Sequence, residues 1–180
     1  MLTLGEMYPS PFIASDTKIK EHAVMALSAL YGCEELSKYA PPDGQPDGFA
    51  MLSSVGEEIF KHQMVALAAM VRAVDDEFDT LAQHQKQNPL GVGELENSKG
   101  SQILTAREAC NKILHARHAK IEWKVLAEHP YYEQKWYLQY GDLNRQYNVP
   151  FLHVSGTHYG EGWCAVINLV LWVHAVSFFT

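Results

Sequence analysis

The chain contains 180 residues, of which 47% are hydrophobic and 19% charged, and this composition excludes a disordered tail, a collagen-like fibre and a disulfide-stapled miniprotein. Its 14 basic and 21 acidic residues give a formal net charge of −7, which disfavours general nucleic-acid binding because such binding neutralises phosphates. Three widely spaced cysteines, Cys33, Cys110 and Cys164, are typical of a reducing compartment, and the N-terminus lacks a secretion signal. We therefore expect a cytoplasmic protein.

Apolar spacing predicts two helices in the first half of the chain. The first covers residues 16–31, with Ser15 or Asp16 as its cap and Gly32 at its end, and a short helix at 34–39 follows the glycine. The second runs from Ser54 to about Gln83, with Ser54 and Glu57 forming a capping box. An a/d seam, typical of a helical bundle or an antiparallel pair, follows Phe60, Met64, Leu67, Val71, Val74, Phe78 and Leu81. The acidic residues of the outer face, among them Asp75, are expected to be solvated.

The centre of the chain is predicted to be a long loop followed by a shorter helix. Residues 88–102 are rich in Gly, Asn and Ser, which favours a loop. Thr105 and Glu108 form a second capping box, and the helix that they open is expected to end at Ala116 or His118.

The period then changes to the alternation of strands. The C-terminal third is predicted to contain a half-buried strand at 120–126, a tyrosine-rich connection at 129–148 with a strand at 136–140, a hairpin of 151–155 and 163–169 around 156–162, and a helix at 170–179. The apolar run 163–179 has 17 residues, fewer than the roughly 20 that span a bilayer, so we expect a buried strand that leads into a buried helix.

These elements predict an α+β fold with an N-terminal helical bundle portion packed with a small C-terminal antiparallel β-sheet. No repeat or break in composition requires a second domain. We therefore expect one domain over 1–180, mainly helical over 16–118 and mainly antiparallel sheet with a terminal helix over 119–180.

One polar stripe carries the candidate chemistry. Arg107, Asn111 and His115 follow at i, i+4 and i+8 and fall within a wedge of about 80° on the helix, which His118 joins if the helix reaches it. Histidine exchanges protons near neutral pH, arginine anchors phosphate with two parallel hydrogen bonds, and asparagine orients a water or an imidazole. Residues 107–124 carry a local charge of +3, and the tyrosines of the following connection offer stacking faces for bases.

The alternatives to this reading are ordinary. Any short helix has a polar face, Arg107 can pair with an acid of the preceding loop, and a histidine at a helix C-terminus is favourable through the helix dipole. Cys110 is expected to be a buried thiol. A zinc site of His115 and His118 with later His or Cys residues matches no established spacing, so we expect neither a metal nor a cofactor.

The block Asn111-Lys-Ile-Leu-His115, on a helix that follows a long amphipathic helix, resembles the HEPN superfamily over roughly residues 54–118. The resemblance implies a metal-independent ribonuclease-like protein of toxin–antitoxin or phage-defence type, or an inactive relative, which pairs as a homodimer. Catalysis would fall to Arg107, Asn111 and His115, although Cys110 stands where the family's arginine usually precedes Asn111. The segment REACNKILHA is also similar to uncharacterised bacterial proteins, which favours a bacterial or phage source.

Two hypotheses follow. In the first, the protein handles RNA or a nucleotide, with Arg107, Asn111 and His115 as catalytic residues and the basic residues beside them as substrate ligands: Lys112, Arg117 and His118. In the second, it is a non-enzymatic interaction module or structural protein that acts as a homo-oligomer, and the a/d seam binds a second copy of the chain or another helix. Neither hypothesis involves a membrane.

Overall fold

The computed structural model describes residues 16–41, 45, 47–87, 91–127 and 146–177. They divide into two compact units, the helical unit up to Phe78 and the sheet unit from Asp79 onward. The expectation of a single domain over 1–180 stays a prediction. The helices and the antiparallel sheet together confirm the α+β class.

The helical unit consists of α1 (Asp16–Ser37) and α2 (Gly48–Phe78), which pack along each other. Their direction is antiparallel, because His22 hydrogen-bonds Gln63 while the Ser53 hydroxyl donates to the Cys33 carbonyl at 3.1 Å. The predicted seam is confirmed from Phe60 to Val74, where its members are buried: Phe60, Met64, Leu67, Val71 and Val74. These side chains are therefore not available to join a second copy, and self-association would have to use other surfaces.

The ends of these helices differ from the prediction. Helix α1 continues through Gly32 to Ser37, so the glycine is not its end. Helix α2 begins at Gly48, where the Asp47 carboxylate accepts the Ala50 N–H at 2.8 Å, and the predicted capping box at Ser54 is wrong because Ser54 lies within the helix. The helix ends at Phe78, which is 52% exposed, because Asp79 adopts a left-handed conformation with φ of 52°.

The acidic face of α2 also has one exception to the predicted solvation. Asp75 is buried, and one of its carboxylate oxygens lies 3.7 Å from the Arg72 guanidinium. Burial of a carboxylate is costly unless a cation lies close to it, as Arg72 does here. The predicted solvation is therefore wrong for Asp75.

The sheet unit begins with α3 (Thr80–Gln87) and is built on five antiparallel strands in the order β2-β1-β5-β4-β3. The strands are β1 (Gly93–Asn97), β2 (Gly100–Leu104), β3 (His118–Leu126), β4 (Tyr147–His158) and β5 (Glu161–Asn168). The predicted strand at 120–126 and the predicted hairpin around residues 156–162 are confirmed. The predicted strand at 136–140 lies outside the described residues.

The predicted loop at residues 88–102 is wrong from residue 93 onward. Residues 93–104 form a hairpin, with Asn97 paired to Gly100 across a two-residue turn. Gly100 has φ of 107°, a conformation that glycine adopts without steric cost. Asn97, Ser98 and Gly100, which are part of the Gly, Asn and Ser content that favoured a loop, form this turn.

Two helices cover one face of the sheet. Helix α4 (Ala106–Leu114) and helix α5 (Leu169–Ser177) contact each other and strands β4 and β5. The shared core includes Leu104, Cys110, Leu152, Val154, Ala165, Ile167, Trp172 and Val176. The predicted passage from a buried strand into a buried helix is confirmed, and Asn168 begins α5 by accepting the Val170 and Leu171 N–H groups at 3.1 and 3.2 Å. Among the described helices, none has the length and apolarity to cross a membrane.

Candidate functional site

An open cleft of about 700 Å³ lies in the sheet unit, where the end of α4 meets the tips of two hairpins. Helix α4 and the residues after it contribute Glu108, Asn111, Lys112, His115 and Arg117. The β4–β5 hairpin contributes Thr157, His158 and Trp163, and the β1–β2 hairpin contributes Leu95, Asn97 and Gln102. The lining is thus mostly polar, with two cationic side chains and two imidazoles.

The capping box at the start of α4 fixes which residues reach the cleft. The Thr105 hydroxyl accepts the Glu108 N–H at 3.1 Å, and the Glu108 carboxylate accepts the Thr105 N–H at 3.2 Å, which confirms the predicted box. Ala109, Cys110 and Ile113 are then buried, as the periodicity predicts. The opposite side of the helix therefore faces the cleft.

The end of α4 is tied to the sheet. His115 is the C-cap residue, and its N–H donates to the Asn111 carbonyl at 3.1 Å. Two residues later the Arg117 N–H donates to the Ser155 carbonyl of β4 at 2.8 Å. This backbone hydrogen bond fixes Arg117 against the strand that also carries His158, so His115, Arg117 and His158 line one space.

Trp163 forms the floor of the cleft. Its ring is 5% exposed, and the Lys112 ammonium lies 4.4 Å from the ring centroid in a cation–π contact. The ring packs against Gly156 so closely that a Cβ atom at this position would lie 2.5 Å from it. Glycine at 156 therefore permits the approach of the ring, and the ring in turn holds the lysine at the cleft.

The charges of the cleft favour an anion. Lys112 and Arg117 supply two positive charges, whereas Glu108 supplies a carboxylate that already accepts a hydrogen bond within the capping box. His115 and His158 add positive charge when they are protonated. Amide and hydroxyl groups of Asn97, Gln102, Asn111 and Thr157 complete a lining that can hydrogen-bond phosphate oxygens or a polar base.

Four residues predicted for the site line the cleft: Asn111, Lys112, His115 and Arg117. Arg107 does not belong to this lining. It lies in the first turn of α4, about 12 Å along the helix axis from His115. Its guanidinium lies 3.9 Å from the Asp79 carboxylate. His118 cannot share the helical wedge, because α4 ends at Leu114 and His118 is the first residue of β3. The structure therefore brings together four of the six predicted residues, and neither Arg107 nor His118 belongs to the lining.

His158 also lines the cleft, although the polar stripe on α4 gave no reason to predict it there. It stands at the end of β4, paired with Glu161, and only the register of the hairpin brings it beside a helix some 40 positions earlier in the chain. The glycine-rich turn at 156–162 was a usable signal for the hairpin, but it carried no information about the helix that packs beside it.

No group of three or more His, Cys, Asp or Glu residues within the described ranges is arranged to hold a metal ion. No protein-family model, curated protein or solved structure matches the chain.

Proposed function

We propose that the cleft binds the phosphate of RNA or of a nucleotide and cleaves a phosphodiester without a metal ion. The observation that supports this most directly is that two imidazoles, one ammonium and one guanidinium line a single cleft: His115, His158, Lys112 and Arg117. A pair of imidazoles can give and accept protons in one reaction, and the two cations can stabilise charge on the phosphoryl oxygens.

In the proposed reaction, one imidazole removes the proton from a ribose 2′-hydroxyl, and the 2′-oxygen attacks the adjacent phosphorus. The bond from phosphorus to the 5′-oxygen of the next nucleotide breaks, and the second imidazole, which is protonated, donates its proton to that leaving oxygen. The products are a 2′,3′-cyclic phosphate and a free 5′-hydroxyl. His115 and His158 share the roles of base and acid, Lys112 and Arg117 hold the phosphate, and Asn111 orients the neighbouring imidazole or the substrate.

This proposal modifies the set implied by the HEPN resemblance. The role of phosphate anchor moves from Arg107 to Arg117, because Arg117 lines the cleft and Arg107 approaches Asp79 instead. The HEPN resemblance itself, the bacterial or phage source and the cytoplasmic location remain parts of the proposal that the sequence alone supports.

Cleavage of end-labelled single-stranded RNA in the presence of EDTA tests the proposal. We expect His115→Ala and His158→Ala each to lower the rate about 10²- to 10⁴-fold, the usual contribution of a general acid or base. His153→Ala is the matched control, because His153 alternates with the buried Leu152 and Val154 on β4 and belongs to the opposite face of the sheet. Wild-type protein that neither cleaves RNA nor binds a nucleotide would refute the proposal.

Substitution of Arg117 tests phosphate binding separately from proton transfer. Arg117→Ala is expected to weaken binding of a nucleoside monophosphate and to flatten its salt dependence, because one phosphate contact is lost. Arg117→Lys keeps the charge but not the planar fork, so it should recover part of the affinity. Equal affinity in all three proteins would exclude Arg117 as the anchor.

A second candidate function is a non-enzymatic interaction module that acts as a homo-oligomer. Exposed apolar side chains on the first turns of α2 favour it: Met51, Leu52, Val55 and Ile59 are each 44–66% exposed. Light scattering on the purified chain tests this alternative, with Leu52→Asp expected to yield monomers if these residues join two copies. A wild-type monomer at high concentration would exclude it.

A further inference from the structure

The cleft continues into a smaller space. A side chamber of about 150 Å³ shares Asn97, Lys112, His158 and Trp163 with the cleft and adds residues from the two hairpin turns. These additions are Ser98, Lys99, Glu161 and Gly162. Because Lys112 and His158 border both spaces, a ligand that fills the cleft has an adjoining place for its next unit.

The polar groups of the side chamber differ from those of the cleft. Lys99 brings one positive charge, whereas the Glu161 carboxylate accepts a hydrogen bond from the Ser98 hydroxyl at 2.8 Å. A carboxylate beside an ammonium is unsuited to a bare phosphate. It is suited to a nucleoside, whose base amino groups and ribose hydroxyls donate to carboxylates while a flanking phosphate meets the lysine.

Tyr159 adds a stacking surface beside this chamber. It is 95% exposed, and its ring centroid lies 4.3 Å from that of His158. Proteins that bind single strands use such exposed rings as platforms for unpaired bases.

The backbone at Tyr159 shows that this ring is held at a cost in stability. Tyr159 and Gly160 have φ of 49° and 84°, the signs of a type I′ turn, in which asparagine followed by glycine is favoured. A tyrosine in this left-handed conformation is uncommon. Apart from the contact with the His158 ring, the exposed Tyr159 side chain has little packing within the chain to offset this cost.

We propose that the ligand is single-stranded RNA that occupies two consecutive subsites. The scissile phosphate lies in the cleft, and the neighbouring nucleotide lies over the side chamber with its base on Tyr159 and its outer phosphate near Lys99. This inference rests on the proposed function, and it names the substrate class as an oligonucleotide strand rather than a mononucleotide.

Isothermal titration with two ligands tests it. One is uridine 3′-monophosphate, and the other is a 2′-O-methyl tetranucleotide, in which the attacking hydroxyl is blocked so that no cleavage occurs. The tetranucleotide is expected to bind wild-type protein more tightly. Tyr159→Ala should weaken tetranucleotide binding about 5- to 150-fold, the effect of losing one stacked base, and should leave binding of the monophosphate unchanged.

Two further variants distinguish stacking from damage to the turn. Tyr159→Phe keeps the ring and is expected to bind the tetranucleotide as wild type does. Tyr159→Asn suits the left-handed turn, so it should raise Tm by about 2–4 °C while it weakens the tetranucleotide as Tyr159→Ala does. Gain of stability together with loss of binding cannot result from a misfolded hairpin.

The outcomes separate the two proposals. If the monophosphate and the tetranucleotide bind equally, or if Tyr159→Ala leaves tetranucleotide affinity unchanged, the two-subsite inference is overturned while the phosphate cleft stands. If wild-type protein binds neither ligand, the proposed function fails and the inference fails with it.

Discussion

A methyl group at Gly156 is expected to destabilise the sheet unit, because the space beside this residue is already filled. A Cβ atom there would lie 2.5 and 2.9 Å from two carbons of the Trp163 ring and 3.0 Å from the His115 carbonyl oxygen. Ordinary contacts of a Cβ atom begin at 3.4 Å, so the ring would have to move by nearly 1 Å. Trp163 is buried, and the neighbouring backbone is held by the hydrogen bond from Arg117 to Ser155.

The magnitude of the effect follows from two opposing terms. Overpacking of this kind costs about 1–3 kcal/mol, and the smaller freedom of alanine in the unfolded chain offsets about 0.4–1 kcal/mol, so the midpoints of the two ranges leave a net loss of about 1.3 kcal/mol. For a chain of this size that loss corresponds to a fall in Tm of about 3–5 °C. Thermal unfolding followed by circular dichroism, together with urea titration, measures it.

Gly162→Ala is the matched control for Gly156→Ala. Gly162 pairs with Thr157 in the same hairpin, and a Cβ atom there would have nothing within 4 Å. We expect this variant to be as stable as wild type, or more stable by about 0.4–1 kcal/mol. The difference between the two alanine variants isolates the contact with Trp163, and equal stability of the two would refute the reasoning.

Two further predictions concern the cap of α4 and the cysteines. Thr105→Ala should lower the free energy of unfolding by about 0.5–2 kcal/mol, because the Glu108 N–H loses its acceptor. Thr105→Ser keeps a hydroxyl acceptor and should be as stable as wild type. Equal urea midpoints for the alanine variant and wild type would contradict the role of the cap. Cys164 is exposed while Cys33 and Cys110 are buried, and burial together with the Glu57 carboxylate raises the pKa of Cys33. A thiol reagent should therefore modify one cysteine per chain rapidly, and Cys164→Ser should abolish this rapid reaction. Rapid modification of two cysteines per chain would disprove the assignment of the reactive thiol to Cys164.

The long helix α2 and strand β3 were predictable because their patterns are long and regular. The seam from Phe60 to Val74 repeats over several turns, and β3 alternates over most of its length. The helix ends were harder, since local signals compete with packing. Gly32 continues α1, and Ser54 lies inside α2 although it has the sequence of a cap, because Asp47 accepts the Ala50 N–H upstream.

The β1–β2 hairpin was missed for a different physical reason. Its strands have five residues each, and burial is confined to Leu95 and Leu104, so the apolar alternation is too short to read. What stabilises it is the pairing of β1 with β5, almost 70 residues further along the chain. Pairing between distant strands leaves little trace in the local pattern.

The candidate site was predictable in part, as far as one helix carries it. The helical period of α4 predicts that Asn111 and His115 share a face. It does not predict the direction of the long Arg107 side chain in the first turn, whose guanidinium lies near Asp79. Arg117 was predicted as a ligand from its charge alone. Its position in the cleft depends on the turn between α4 and β3, which brings its N–H to the Ser155 carbonyl.

Two local choices that weaken regular structure meet at this cleft. Gly156 lies within β4, where glycine weakens a strand, and Tyr159 occupies a turn position that favours asparagine. The close approach of the Trp163 ring requires glycine at position 156, whereas asparagine at position 159 would be more stabilising than tyrosine. Natural chains break local rules chiefly where function requires it, so their coincidence favours the cleft over the exposed apolar residues of α2 as the functional region. Stabilising Tyr159→Asn should consequently cost ligand binding, whereas stabilising substitutions distant from the cleft should not.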